Sequence, residues 1–217
     1  MFTGIVEGAF EVRSVEDAGG IRRVSLDLST LADSDSIKLG DSVAINGCCL
    51  TVARLSEGIA AFEAVPETLR LTNLGALGKG SLVNVERAMQ AGARIDGHFV
   101  QGHVDRVGTV VSIRRDADFR IRIECGRDFA VQCIHKGSVC VDGISLTIAQ
   151  LEEESLTVAV IPHTREVTNI RDWVRGAQVN LEADMIGKYV RRRLDQVVDR
   201  GISGVDDSLL RRAGFLP

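Results

Sequence analysis

SVAINGCCLTVARL, residues 42 to 55, and SVCVDGISLTIAQL, residues 138 to 151, are one local pattern written twice, 96 positions apart. Ser42 falls on Ser138, Val43 on Val139, Gly47 on Gly143, Leu50 on Leu146 and Thr51 on Thr147. The same offset carries Pro66-Glu67-Thr68 onto Pro162-His163-Thr164, Thr72-Asn73 onto Thr168-Asn169, and VNVE (83 to 86) onto VNLE (179 to 182). Upstream, after a two-residue adjustment, GIVE (4 to 7) meets GHVD (102 to 105). One frame held across so many blocks is an internal duplication. Its unit is too long for a solenoid repeat and matches a small domain present twice.

Within each unit the apolar residues alternate at period two, in runs such as RRVSLDL (22 to 28), SLVNVER (81 to 87), RIRIE (120 to 124) and LTVAVI (156 to 161), separated by Gly, Asp and Asn. That spacing predicts short antiparallel strands. Several short strands per unit predict a closed barrel, which leaves no exposed edge. Gly47 and Gly143, inside strand-like runs, are expected at a bulge or a close approach. After the second unit the period changes: Met185, Ile186, Tyr189, Val190, Leu194, Val197 and Val198 recur three and four apart, an amphipathic helix whose stripe packs on its own barrel or self-associates. The tail from 204 to 217 is expected to add one or two helical turns.

A chain of 217 residues with 45% hydrophobic content can bury two small cores. A net charge of −4 with scattered Lys and Arg gives no electrostatic footprint for nucleic acid. No run approaches the length of a membrane span and no leader pattern opens the chain, so a cytoplasmic protein is expected. Five cysteines, with no C-x-x-C, suggest neither a disulfide framework nor a zinc site, and no metal is expected.

MFTGIVE at the N-terminus, NGCCLTV (46 to 52), GHFVQGHVD (97 to 105), DGISLTI (142 to 148) and IPHT (161 to 164), in this order and in a duplicated frame, closely resemble riboflavin synthase of the alpha-chain type. The resemblance covers residues 1 to about 199. It implies an all-β fold of two tandem six-stranded Greek-key barrels plus a C-terminal helix, divided as 1–96, 97–186 and 187–217. It implies a cofactor-free dismutation, in which two molecules of 6,7-dimethyl-8-ribityllumazine exchange four carbons to give riboflavin and a ribitylamino-pyrimidinedione. A homotrimer held by the C-terminal helices is implied, with each site between subunits, and association with lumazine synthase is left open. The alternative is a non-catalytic lumazine or flavin carrier on the same duplicated barrel.

Identical substrates in opposite roles require unlike pockets, which gives meaning to the positions where the copies differ: Cys49 against Ser145, Ile5 against His103, Asn46 against Asp142. His103 is the best general acid or base, because its ordinary pKa lies near working pH. His98 is its rival, read as linker packing. Cys49 can add to the substrate as thiolate or line the pocket, while Cys48 should face the barrel core. Ser145 and Thr147, two apart on one strand face, present hydroxyls together, as Thr51 does beside Cys49. By resemblance the ligands are held by Phe2, Gly4, Ile5, Val6, Ser42, Leu50, Glu63, Ala64, Val65, Pro66, Glu67 and Thr68. Their counterparts are Gly102, Val104, Lys136, Leu146, Ala159, Val160, Ile161, Pro162, His163 and Thr164. Glu182 and Asp184 are candidates to orient His103. The first barrel, residues 1 to about 95, is expected to fold and bind ligand alone.

Overall fold

The computed structural model describes residues 1–116, 118–199 and 211–212. The repeated run is a hairpin in both copies rather than one long strand. Asn46 and Gly47 have φ of 46° and 74°, and Asp142 and Gly143 have 45° and 82°. Two successive residues at positive φ form the tight turn whose twist suits a β-hairpin, and Asn-Gly and Asp-Gly are the pairs that adopt it cheaply. The bulge expected at Gly47 and Gly143 is therefore a turn; the close approach is real, as described below.

The first barrel comprises β1 (Gly8–Ala18), β2 (Ile21–Asp27), β3 (Ser42–Ile45), β4 (Cys48–Ser56), β5 (Ile59–Ala64) and β6 (Leu82–Arg87), closed in the order β1-β2-β5-β4-β3-β6. The second comprises β7 (Arg106–Arg114), β8 (Arg120–Glu124), β9 (Ser138–Val141), β10 (Ile144–Leu151), β11 (Ser155–Ala159) and β12 (Gln178–Ala183), closed in the equivalent order β7-β8-β11-β10-β9-β12. All recorded pairings are antiparallel. Short helices α1 (Pro66–Leu71) and α3 (Pro162–Val167), each with Pro in its first turn, occupy equivalent places. Between them α2 (Arg127–Ala130) caps the second barrel, and α4 (Met185–Asp199) follows β12.

Alternation sorts the hairpin side chains. Val43, Ile45, Cys48, Leu50 and Val52 enter the first core, and Val139, Val141, Ile144, Leu146 and Ile148 the second. Cys48 thus points inward as expected. Ser42 and Thr51 pair across the outer face, followed by Ala44 and Cys49; in the second barrel the pairs are Ser138 with Thr147 and Cys140 with Ser145.

The barrels meet through the two turns and a buried amide cluster made twice over. Asn84 N–H donates to Asn46 Oδ1 (2.8 Å) and Asn180 N–H to Asp142 Oδ1 (2.7 Å). Asn84 Nδ2 reaches the Asp142 carbonyl and Asn180 Nδ2 the Asn46 carbonyl, both at 2.8 Å. Asn73 N–H donates to Asn180 Oδ1, and Asn169 N–H to Asn84 Oδ1. Asn46 and Asp142 therefore differ at the joint between barrels, not in the pockets where the sequence comparison placed their difference. Burial pushes the Asp142 carboxyl up to about 7, although the Asn180 N–H and the side chains of Asn169 and Asn73 donate to it and pull the other way.

Of the α4 stripe, Ile186, Tyr189, Val190 and Leu194 are exposed in the single chain and Met185 is half-buried, while the side chains of Val197 and Val198 lie outside the described residues. The turns expected for the tail fall outside the described residues, save Arg211 and Arg212, which are helical.

Candidate functional site

In each closed barrel one strand pair is zipped over only part of its length, and the other repeat's leading segment bonds beside the unpaired part. β4 and β5 pair from Val52 and Phe62 onward. Before that point Cys49 N–H turns instead to the Gly102 carbonyl at 2.8 Å, and Val104 packs on the first barrel's core. In the second barrel β10 pairs with β11 from Ile148 and Val158 onward, Ser145 N–H donates to the Gly4 carbonyl at 2.7 Å, and Val6 packs on the second core. The contacts are tight. A Cβ on Gly102 would lie 2.6 Å from Cys49 Cβ, and one on Gly4 would lie 2.7 Å from Ser145 Cβ, so both positions need glycine for space as well as for φ of 80° and 76°.

Two carboxylates clamp these segments. Glu86 on β6 accepts from Thr3 N–H (2.7 Å), Thr3 Oγ1 (2.8 Å) and Gly4 N–H (3.0 Å). Glu182 on β12 accepts from Gln101 N–H (2.8 Å) and Gly102 N–H (3.0 Å). Burial raises the pKa of both against the pull of those donors. The segments also bond to one another, Phe2 and Val100 exchanging two hydrogen bonds of 2.7 and 3.1 Å. Phe2, fully buried, forms a small apolar cluster with Val100, Ala44, Cys140 and Cys49 between the barrels, so it closes the joint rather than either barrel.

The result is two equivalent crossings, each the edge of a candidate groove: Gly102 to Val104 lie against Cys49 and the first core, and Gly4 to Val6 against Ser145 and the second core. Residues 1 to 95 hold all six strands of the first barrel without the Gly102 to Val104 segment that lies against Cys49. Thr51, Thr147, His103, Val65 and Ile161 are exposed, while Leu50, Ala64, Leu146 and Val160 turn their side chains into the cores and offer the groove only main chain. Ser42 and Ile5 also border a cleft of about 540 Å³ behind the Thr3–Ile5 segment, which contains neither Cys49 nor Ser145.

His103 stands exposed on the first groove's wall. Glu182 binds the main chain next to it rather than its ring, and Asp184 accepts from Ile186 N–H. His98 is the buried histidine, and its Nδ1 lies 2.7 Å from Ser145 Oγ. Reading it as linker packing missed this because its partner is 47 residues away. Burial pushes the Cys48 thiol up to about 12, which removes it as a nucleophile at neutral pH. Lys136 occupies an exposed turn at φ 64° just before β9. Arg165 on α3 stacks on Phe119, 4.3 Å from the ring centroid.

The sequence profile of the Lumazine binding domain family matches residues 3–88 and again 101–184. Riboflavin synthase of Bacillus amyloliquefaciens is 41% identical over 195 residues, covering 89% of this chain and 90% of that protein. Riboflavin synthase of Actinobacillus pleuropneumoniae is 37% identical over 99% of this chain and all of its own. A solved structure of LumP complexed with riboflavin has the same fold, with TM-score 0.77 at 24% identity over 84% of this chain and 99% of its own.

Proposed function

The chain belongs to the riboflavin synthase family of lumazine-binding-domain proteins, and from that membership we propose that it dismutates 6,7-dimethyl-8-ribityllumazine to riboflavin and 5-amino-6-(D-ribitylamino)uracil. What supports this reading is a pair of crossings matched in backbone and unlike in side chain: Cys49 bonds to the Gly102 that precedes His103, and Ser145 to the Gly4 that precedes Ile5. A carrier needs one pocket, or two alike. A reaction between two copies of one molecule needs two related pockets that tell donor from acceptor.

On this reading the chain divides at 1–96, 97–186 and 187–217, the last part assembling a trimer through the apolar stripe of α4. Each groove holds one lumazine against main-chain groups and hydroxyls, and the grooves of neighbouring subunits face each other, so that the stacked rings exclude water. His103 moves the proton of the acidic C7 methyl group. The four-carbon exchange balances its own electrons, so the reaction calls for no cofactor. The protein works in the cytoplasm, and lumazine synthase, which makes its substrate, is the candidate docking partner.

Pure protein incubated with the lumazine alone tests the proposal. Riboflavin should form at one molecule per two substrates consumed, without metal, nicotinamide or oxygen. Tight binding with no turnover would establish the carrier instead.

A further inference from the structure

Resting on that reading, we propose that Asp105 is a positioning residue for His103 and that Lys188 ties it to helix α4, so that the seating of α4 sets where the imidazole stands beside the Cys49 groove.

The His103 ring has no anchor of its own. It is exposed, and among the described residues no hydrogen bond or ion pair reaches it, so its place depends on its main chain. That main chain is held on both sides. Before it, Glu182 accepts from Gln101 N–H and Gly102 N–H. After it, Asp105 N–H donates to the Leu181 carbonyl at 2.8 Å, and the Asp105 carboxylate accepts from Ala183 N–H at 2.8 Å. The same carboxylate holds Lys188 Nζ with both oxygens, at 2.7 and 2.6 Å. The Lys188 side chain is 25% exposed and that of Asp105 27%, so solvent screens this pair less than a surface ion pair. Lys188 acts on the first anchor as well: burial raises the Glu182 carboxyl, and the Gln101 N–H and the Lys188 charge pull it back.

The duplication shows what is particular to this arrangement. Glu7 is the counterpart of Asp105: its N–H donates to the Val85 carbonyl at 2.9 Å and its carboxylate accepts from Arg87 N–H at 2.6 Å, matching Leu181 and Ala183 in the repeat frame. The cation held by Glu7 is Arg87 itself, on β6, whose guanidinium also reaches the Asp33 carbonyl and Ser36 Oγ. That ion pair ends within the first barrel. In the second repeat Ala183 offers no charge, and the cation comes instead from the first turn of α4. Gly187 seats that turn closely, since a Cβ there would lie 3.0 Å from the Gln132 carbonyl. A shift of α4 is therefore carried by one ion pair to the residue two places after His103, while the Gly4 to Val6 segment has no such link. An ångström of misplacement can cost a catalytic group about 10²-fold in rate, so the seating need not move far.

The test separates positioning from general stability. Lys188→Met removes the charge and keeps the stem. It should lower kcat about tenfold while lumazine affinity stays within about threefold of wild type. Amide exchange over 101–105 should quicken at least about tenfold, with that over 4–7 unchanged, and Arg87→Met should do the reverse. Lys188→Arg, which keeps the charge, should return kcat to within about threefold of wild type. In a His103→Gln background Lys188→Met should cost no more than about a further twofold, because its effect passes through the imidazole. Asp105→Asn keeps an acceptor for Ala183 N–H and loses only the attraction to Lys188, so it should show the same exchange pattern even if Lys188→Met does not fold. Unchanged exchange over 101–105, or a full tenfold loss persisting without His103, would each overturn the proposal. Wild-type protein that makes no riboflavin would instead count against the proposed reaction, and the exchange comparison would still decide on the tether.

Discussion

Gly47 and Gly143 meet back to back where the barrels join. A Cβ on Gly47 would lie 2.6 Å from the Gly143 amide nitrogen, and one on Gly143 would lie 2.8 Å from that of Gly47. The clash would be with backbone, which cannot swing aside. Positive φ at both residues adds about 1–2 kcal/mol of strain for any L side chain. Gly143→Ala should therefore lower the melting temperature by several degrees and split one transition into two as the barrels part. A single unshifted calorimetric peak would show that the joint does not depend on this contact.

Asp142 predicts a pH dependence with a definite sign. Its carboxyl rises from 3.8 when unfolded to about 7 in the folded protein. The unfolded chain therefore loses this proton first, and the stability present below about pH 4 is lost as pH rises through 7. At roughly 1.4 kcal/mol per unit the loss is at most about 4 kcal/mol. Asp142→Asn, which restores the residue type of Asn46, should be more stable than wild type at pH 8, with the gap closing toward pH 4. Urea midpoints that run parallel across this range would refute it.

The carboxylate clamps should act on one groove each. In Glu182→Gln the amide end faces a main-chain donor, leaving Gln101 or Gly102 N–H without its acceptor at a cost of about 1–3 kcal/mol. Lumazine affinity at the Cys49 groove should weaken about 5- to 20-fold with the Ser145 groove little changed, and Glu86→Gln should do the reverse. Fluorescence titration resolves the two sites; equal losses at both would mean that the clamps are not local.

The exposed stripe on α4 predicts assembly. Ile186→Glu with Leu194→Glu should give a folded monomer by light scattering that still binds ligand and has lost turnover, because on the proposed reading each site needs a neighbour's groove. An active monomer would place both halves of the site within one chain.

Mixed subunits check the same point from the other side. Chains carrying Cys49→Met and chains carrying Ser145→Leu, each inactive alone, should regain about a quarter of the sites when refolded together in equal amounts, since random co-assembly places two intact grooves face to face in every mixed trimer. Mixed trimers that stay silent would rule out sharing.

The duplication and the barrels were legible because repeated glycines, hydroxyls and period-two runs are local signals. Strands β1 and β5 were not read. β1 carries a register shift between Val12 and Ser14 that breaks its alternation, and in β5 three of six residues are alanine. The asparagines that join the barrels were in view as matched Thr-Asn and Val-Asn pairs, but nothing in the sequence says that the two copies face each other. For the same reason the crossing was not legible: Gly4 lies against Ser145, 141 positions away in the chain, and only the fold brings them together.

Because the walls are exchanged, the order of synthesis matters. The ribosome delivers Gly4 to Val6 long before β10, their seat, exists, so this apolar-flanked segment waits unpaired while the first barrel closes. The unpaired part of β4 in turn waits until Gly102 to Val104 emerge. A nick in the 89–96 connection, made after synthesis, would leave two pieces that each hold a strand-edge partner of the other.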